Sequence, residues 1–409
     1  MTGVIRPYDD ERDLDGVLRV WRDVGWLNDD DRRGVLGAFL AGGHAEVAPI
    51  DDDIECMVHW SPGTIDHTGT PLDLCAVTAV TTSITGRKQG FASTMTSNAL
   101  RQGAEAGYAV AALGMFEQGF YDRLGFATGS YDVVYRFDPS NLRVDVPYRR
   151  PVRVTPDMWE DVHGALTRRL GHHGAVMLTP PRLVEGELGF LEQPFGLGYR
   201  DDSGALTHFV TGSMKGEHGP LHVEFFSYQD TDQLLELLRL LRELADQVRT
   251  VRMVEPPHVQ MQSLLSEPFR DRMRTRSSEH EGGALAIAWW QLRILDVERC
   301  VAALDGAGDP LTFNLVLTDP LTERLDSSGW SGIAGDYTVT VDRPSVATPG
   351  HAAGAPVLRA TVGAFSRLWF GVASATSLAA TSDLDGPREL IDGLDRALRL
   401  PTPHTGWMF

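Results

Sequence analysis

The sequence predicts a mixed α/β (α+β) protein built from more than one domain. The chain has 409 residues, too many for one ordinary core, and that length suggests about two to three domains. Its composition, 42% hydrophobic and 23% charged, is that of a soluble globular chain. Strand-like and helix-like patterns alternate over residues 4–138, repeat over 151–275, and give way to a third unit over about 285–400.

In the first unit we expect a helix around Asp13 to Val24, strands near 45–60 and 72–84, a helix over 90–106 and a strand from Tyr108 to Leu113. Gly107 ends the second of these helices, because glycine takes the left-handed conformation without steric cost. A short helix near Gln118 to Leu124 and a strand over Tyr131 to Phe137 complete the unit, and "RFDPSNLRVDVPYRRP" reads as a linker.

The second unit opens with a strand and helix in "VRVTPDMWEDVHGALTRRL", followed by strands in "ALTHFVTGSM" and "HVEFFSY". Its strongest element is the amphipathic helix "DTDQLLELLRLLRELADQV", with Leu234, Leu237, Leu238, Leu241 and Leu244 on one face. The junction before it, "SYQDTDQ", has no glycine and two aspartates, so it would repel a pyrophosphate; this unit reads as structural. The third unit starts at "WWQLRILDVERCVAAL", continues in strands over Thr312 to Thr318 and Tyr337 to Val341, and ends in helices near 364–380 and 387–398. Short-period repeats, low-complexity tracts and heptads are absent, which excludes solenoids and coiled coils.

Charge narrows the partners. With 56 acidic against 37 basic residues, the formal net charge is -19, so nucleic acid is not an expected partner. The acidity keeps the chain soluble and favours encounter with cations. The runs Asp29–Asp31 and Asp51–Asp53 read as solvated faces. Apolar runs such as Ala284 to Trp290 fall short of the roughly 20 residues of a membrane span. The start, "MTGVIRPYDD", has no apolar signal core, so a cytoplasmic protein is expected. Cys56, Cys75 and Cys300 are isolated, and neither a disulfide framework nor a metal site is expected. His44, His59 and His172-His173 lack a ligand pattern and read as surface or core residues; no GxSxG elbow supports a triad around Asp66-His67.

Two stretches carry chemistry. "TSITGRKQGFAST", residues 82–94, fails as a phosphate loop of the GxxxxGK[ST] type because Phe91 stands where lysine is needed. What remains is an R-x-x-G-x-A turn, Arg87 to Ala92, opening a helix after a strand. Backbone N–H groups at a helix N-terminus lack intrahelical partners and form an anion site, to which Arg87 and Lys88 add charge. Alone, the six residues equally fit an ordinary basic turn. Downstream lies "EQGFYDRLGFATGSY", in which Tyr121 precedes a glycine-aromatic pair by four residues; singly it fits a packed core tyrosine.

In this order and spacing, the two stretches resemble the GNAT superfamily of acetyl-CoA-dependent N-acetyltransferases. The match narrows further. "AEAGYAVAALGMFEQGFYDRLGFATGS", the repeated α/β rhythm, "WWQLRILDVERCVAAL" and the aromatic last residue resemble the enhanced intracellular survival (Eis) family over nearly the whole chain. The resemblance implies an active GNAT domain over 1–140, a second GNAT-like domain without a cofactor site over 150–284, and a sterol-carrier-protein-like domain over 285–409 whose terminus reaches the active site. It also implies a homohexamer.

The resemblance assigns roles residue by residue. Val80, Thr81 and Thr82 would contact the pantetheine arm of acetyl-CoA, bound as co-substrate, and an exposed N–H of their strand would polarise the thioester carbonyl. Arg87, Lys88, Gln89, Gly90, Phe91, Ala92 and Ser93 would wrap the pyrophosphate, with Phe116 and Glu117 lining the cleft. Tyr121 would be the general acid, its ordinary pKa of about 10 suiting a departing thiolate. The Phe409 α-carboxylate would be the general base; at an ordinary pKa of roughly 3.5 it needs burial or a bridging water. Trp21, Asp23 and Trp26 fall in the region that lines the family's acceptor pocket, although both tryptophans equally fit a core role. Met408 stands where family members often carry an acid, a loss that weakens the case for polycationic acceptors. The expected acceptors are primary amines of the aminoglycoside, polyamine or lysine type. The competing reading is a non-catalytic acyl-CoA or hydrophobic-ligand binding protein.

Overall fold

The computed structural model of the protein describes residues 4–27, 32–267, 276–306, 310–407 and 409. Asp29–Asp31 and Met408 lie outside the described residues.

The N-terminal segment runs β1 (Arg6–Pro7), α1 (Asp10–Asp23), α2 (Arg33–Leu40), β2 (His44–Ile50), β3 (Asp53–His67), β4 (Thr70–Thr82), α3 (Phe91–Glu105), β5 (Val110–Gly114), α4 (Gln118–Asp122), β6 (Ala127–Thr128) and β7 (Asp132–Phe137). α1 begins where the Asp9 carboxylate accepts the Arg12 N–H, and it buries Leu14, Val17, Leu18 and Trp21 on one face at helical spacing. The strand expected near 45–60 is two strands. They are joined at Asp51 and Asp52, whose φ values of 49° and 74° make the two-residue turn that suits a hairpin. The acidic run Asp51–Asp53 is solvent-exposed, as expected, and its first two residues form this turn.

The middle segment contains β8 (Val152–Arg153), α5 (Trp159–Leu166), β9 (Val176–Leu178), α6 (Pro181–Phe190), β10 (Pro194–Arg200), β11 (Leu206–Met214), β12 (Leu221–Ser227), α7 (Thr231–Glu243), β13 (Val251–Val254), β14 (Gly283–Ile287) and β15 (Trp290–Ile294). The C-terminal segment contains α8 (Val297–Ala302), β16 (Leu311–Thr318), β17 (Gly335–Val341), β18 (Val346–Pro349), β19 (Val357–Thr361), α9 (Val362–Trp369), α10 (Ala375–Thr381), β20 (Leu384–Asp385) and α11 (Arg388–Ala397). The helix expected over 364–380 is thus broken in two, the second part capped by Ser374, whose hydroxyl accepts the Ser377 N–H.

The sheets do not follow the chain's segments. The first has the order β1-β2-β3-β4-β5-β15-β6, with β9 on β3; the second is β14-β7-β13-β12-β11-β10-β8; the third is β18-β17-β16-β19-β20. β7, expected to complete the first unit, instead pairs with β13 and β14 in the second sheet. In return β15 inserts antiparallel between β5 and β6. All five of its residues are buried, as befits a strand covered on both faces. One hydrophobic core accordingly joins Leu14 and Val17 of α1 to Trp290 of β15, Phe225 of β12 and Trp369 of α9.

Candidate active site

β4 carries the first half of the site. It pairs with β3 along its whole length but with β5 only from Leu74↔Val110 to Val77↔Leu113. Beyond that point no described strand covers its second edge, and Thr78, Ala79 and Val80 line a cavity there. A bulge marks the divergence: His59 pairs with Ala79 and Trp60 with Val77, leaving Thr78 as the extra residue. His59 fixes it. Burial pushes the His59 imidazole down to about 3, so it is neutral. Its Nε2 lies 3.3 Å from the Leu40 carbonyl and must be the donor there, which leaves Nδ1 to accept the Thr78 hydroxyl at 2.6 Å. Thr78 lines the candidate site, and nothing in the local sequence singles it out. Of the expected pantetheine contacts, Val80 faces the cavity, while Thr81 is buried and the Thr82 hydroxyl lies 3.2 Å from Cys56 Sγ.

The basic turn is held from beneath. Glu55 of β3 accepts the hydroxyls of Ser83 and, at 2.6 Å, Thr85, while Arg19 of α1 reaches the same carboxylate at 3.1 Å. Ser83 Oγ in turn accepts the Gly86 N–H at 3.0 Å. Arg87, Lys88 and Gln89 are exposed, and neither cation forms an ion pair with a described residue. Gly90 then turns the chain at φ 84° into α3 without a side-chain cap, so the N–H groups of the first turn, Phe91 to Ser93, point outward unclaimed. A further cation comes from elsewhere: Arg324 Nη1 donates to Ser93 Oγ at 2.9 Å. Nothing in the local sequence around Arg324 signals this; 231 residues separate the pair.

Tyr121 is 2% exposed on α4, edge-on to Phe116, Phe120 and Phe126. Burial, with a smaller contribution from the Glu117 carboxylate, raises its phenol well above the ordinary value and keeps it protonated. Phe116 is exposed at the mouth, and Glu117 stands exposed at the start of α4. β15 holds α4 from below. Gln291 donates to Asp122 at 2.7 Å, and the Arg293 guanidinium donates to the Leu124 carbonyl at 2.5 Å. Arg293 also pairs with Asp319 at 2.6 Å, both side chains fully buried.

The C-terminal tail runs inward. The His404 N–H donates to the His173 carbonyl at 3.0 Å, the Val176 N–H donates to the Thr405 carbonyl at 2.9 Å, and Arg169 donates to the Gly406 carbonyl at 2.6 Å. Trp407 is buried against Phe225. The last residue, Phe409, sets its ring 6.4 Å from that of Trp289, and its carboxyl lies against Gly114. A β-carbon on Gly114 would stand 2.8 Å from a Phe409 oxygen, so the terminus fits because position 114 is glycine.

The edge of β4, Tyr121 and Phe409 meet in one cavity of about 200 Å³, whose walls include Trp26, Thr78, Val80, Phe116, Tyr121 and Phe409; Thr81, Thr82, the turn and helix start over 87–93, and Glu117 do not line it. The other two expected acceptor residues lie elsewhere. Trp21 is a core residue, its ring 5.0 Å from Trp26, 5.5 Å from Phe39 and 5.7 Å from Phe190. Asp23 is exposed and paired with Arg19 at 3.3 Å. Among the described residues there is no His, Cys, Asp and Glu grouping suited to a metal ion, and no helix is long and apolar enough to cross a membrane.

Residues 5–129 match the model of the acetyltransferase (GNAT) domain. No curated protein sequence matches the chain. Similar solved structures include a conserved protein of unknown function from Enterococcus faecalis V583, described as a probable N-acyltransferase, with 16% identity, TM-score 0.77 and full coverage of both chains. A GCN5-related N-acetyltransferase from Kribbella flavida aligns at 20% identity and TM-score 0.74, over 100% of this chain and 99% of that one. Eis1 from Mycobacterium abscessus aligns at 16% identity and TM-score 0.74, over 99% of this chain and 100% of that one. The chain therefore carries a GNAT acetyltransferase domain, and the likeness of fold extends over its whole length.

Proposed function

We propose that the protein is an acetyl-CoA-dependent N-acetyltransferase of the Eis type, acting on primary amines. The observation that carries this reading is the shared cavity: Tyr121 and Phe409 line it together with the end of β4 that has lost its partner strand. A free sheet edge offers N–H and C=O groups to an amide-bearing arm, and the uncapped N-terminus of α3, with Arg87, Lys88 and Arg324 beside it, suits a pyrophosphate. The residues thus fit acetyl-CoA, whose thioester supplies the acetyl group.

In the transfer, the neutral amine nitrogen forms a bond to the thioester carbonyl carbon and the carbon–sulfur bond breaks. The departing thiolate takes a proton from the Tyr121 hydroxyl, while the proton lost by the amine goes to the Phe409 carboxylate, directly or through water. Return of a proton from the carboxylate side to the phenolate, by way of solvent, resets the site. The products are the N-acetylamine and the free thiol of coenzyme A. Burial keeps the Tyr121 phenol protonated before the amine attacks, and it makes proton transfer to the thiolate less favourable than an ordinary phenol pKa would.

The Eis-type reading includes a division of the chain near 1–140, 150–284 and 285–409, with β7 lying in the second sheet and β15 in the first, together with a sterol-carrier-like third domain, a hexamer and a cytoplasmic setting. Light scattering on the purified protein tests the hexamer. The hydrophobic-ligand alternative draws little support from the larger cavity beside α9, about 640 Å³, whose walls include Asp122, Glu323, Arg367 and Asp383. Thiol release from acetyl-CoA across a panel of primary amines tests the main reading. Amine-dependent thiol release is expected; acetyl-CoA binding without thiol release from any amine contradicts it.

A further inference from the structure

Trp289 stands between two cavities. On one side is the reaction cavity, with Tyr121 and Phe409 in its walls; on the other is a smaller one of about 70 Å³, lined by Asp132, Glu224, Glu255, His404 and others. Trp289 belongs to the lining of both. It is held on three sides. Its carbonyl accepts the Met115 N–H at 2.8 Å, its indole N–H donates to Asp132 Oδ2, and its ring lies 6.4 Å from that of Phe409.

The smaller cavity is acidic and under-satisfied. Asp132 is 2% exposed, and its second oxygen, Oδ1, has no hydrogen bond; the nearest cationic partner is His404 Nε2 at 3.5 Å. Burial lowers the basicity of His404 and likewise raises the Asp132 carboxyl, so each group of the pair is pushed toward its neutral form until a cation arrives. Glu224 reaches the cavity through a bulge in β12. Gly212 pairs with Val223 and Thr211 with Phe225, so Glu224 is the extra residue, and a bulge re-aims its side chain. Burial pushes the Glu224 carboxyl up to about 7, so a cation arriving beside it would draw out its full charge.

We propose that Trp289 is the specificity-determining wall of the acceptor site: it ends the reaction cavity short of the acidic cavity and confines acceptors to amines with no second ammonium beyond that point. The proposal rests on reading the reaction cavity as an amine site. An ammonium pressed on the closed wall would lose hydration without gaining a carboxylate partner. With the indole removed the two cavities would join, and the distal ammonium of a diamine would meet Asp132 and Glu224.

The test is the ratio of kcat/KM for α,ω-diamines to that for butylamine, read by thiol release on the full chain. Because both acceptors are measured on one preparation, loss of folded enzyme cancels in the ratio. Trp289→Ala should raise the ratio about tenfold or more, and adding Glu224→Gln should return it toward the starting value. Trp289→Phe, which keeps a ring in place, should leave the ratio near that of the unaltered protein. Should Trp289→Ala not fold, Trp289→Leu is expected to raise the ratio in the same direction. An unchanged ratio in the folded small-residue variants overturns the proposal. So does a fall, which would mean that the indole itself binds the ammonium, or a diamine preference in the unaltered protein that Glu224→Gln already abolishes. If the unaltered protein releases no thiol with any amine, the acetyltransferase reading falls and this proposal with it; normal acetylation with an unmoved ratio sinks this proposal alone.

Discussion

Gly114 and Phe409 are in contact: a β-carbon added to Gly114 would stand 2.8 Å from a Phe409 oxygen and 3.3 Å from Phe409 Cβ. Two residues nearly three hundred positions apart thus share one small volume, and the side chain missing from the first leaves room for the carboxyl of the second. Gly114→Ala should displace the terminus while leaving the β5–β15 ladder intact. We expect kcat to fall by about tenfold to a hundredfold with little change in acetyl-CoA affinity, since small misplacements of a reacting group carry costs of that order. Steady-state kinetics with one amine acceptor checks this; unaltered kcat would separate the Phe409 carboxyl from the chemistry.

Tyr121→Phe keeps the aromatic packing against Phe120 and Phe126 and removes only the hydroxyl. If the phenol protonates the leaving sulfur, kcat and kcat/KM should fall together by about a hundredfold or more, with acetyl-CoA affinity nearly unchanged. Binding titration beside turnover makes the comparison. Full turnover in the variant removes the acid role.

Arg324 donates to Ser93 at the open end of α3, where a pyrophosphate is expected. Arg324→Ala should raise KM for acetyl-CoA by several-fold to about tenfold and leave kcat close to its starting value, the pattern of lost uniform binding. Increased ionic strength should narrow the difference, because the contact is exposed. A fall in kcat at constant KM would place Arg324 outside the cofactor site.

Arg293 and Asp319 form a fully buried pair that also anchors the end of α4 at Leu124. Asp319→Asn leaves the guanidinium buried without its counter-charge, so it should destabilise the fold by about 3–5 kcal/mol. Urea unfolding reads the loss; a change below about 1 kcal/mol would mean that water or rearrangement satisfies Arg293.

Much of this architecture is legible in the sequence, and what is hidden has a common cause. α3 with its glycine turn, Gly107 behind it, and the leucine face of α7 follow from local periodicity and capping, and the structure has them where the pattern sets them. Strand partners are another matter. The alternation in 131–137 fixes which residues share a face but says nothing of which edge β7 will join, so its exchange with β15 cannot be read from either segment. The same limit hides Gly114, Thr78 and Arg324. Each matters through a contact with a distant segment, whereas Tyr121 and the basic turn stand out because their spacing is local. Trp21 shows the converse: an aromatic five residues before Trp26 fits the acceptor pattern equally well, and only packing assigns it to the core.

The proposed assignment of the general base to the Phe409 carboxylate is tested by lengthening the chain. Thiol release from acetyl-CoA with a primary amine should be compared for the unaltered protein and for one extended by two glycines beyond Phe409. The extension moves the carboxylate away from Gly114 but leaves Tyr121, β4 and the turn at Arg87 unchanged. We expect amine-dependent thiol release from the unaltered protein and a loss of about a hundredfold in kcat on extension, with acetyl-CoA binding retained. Equal turnover by the two proteins would contradict the assignment of the base to Phe409.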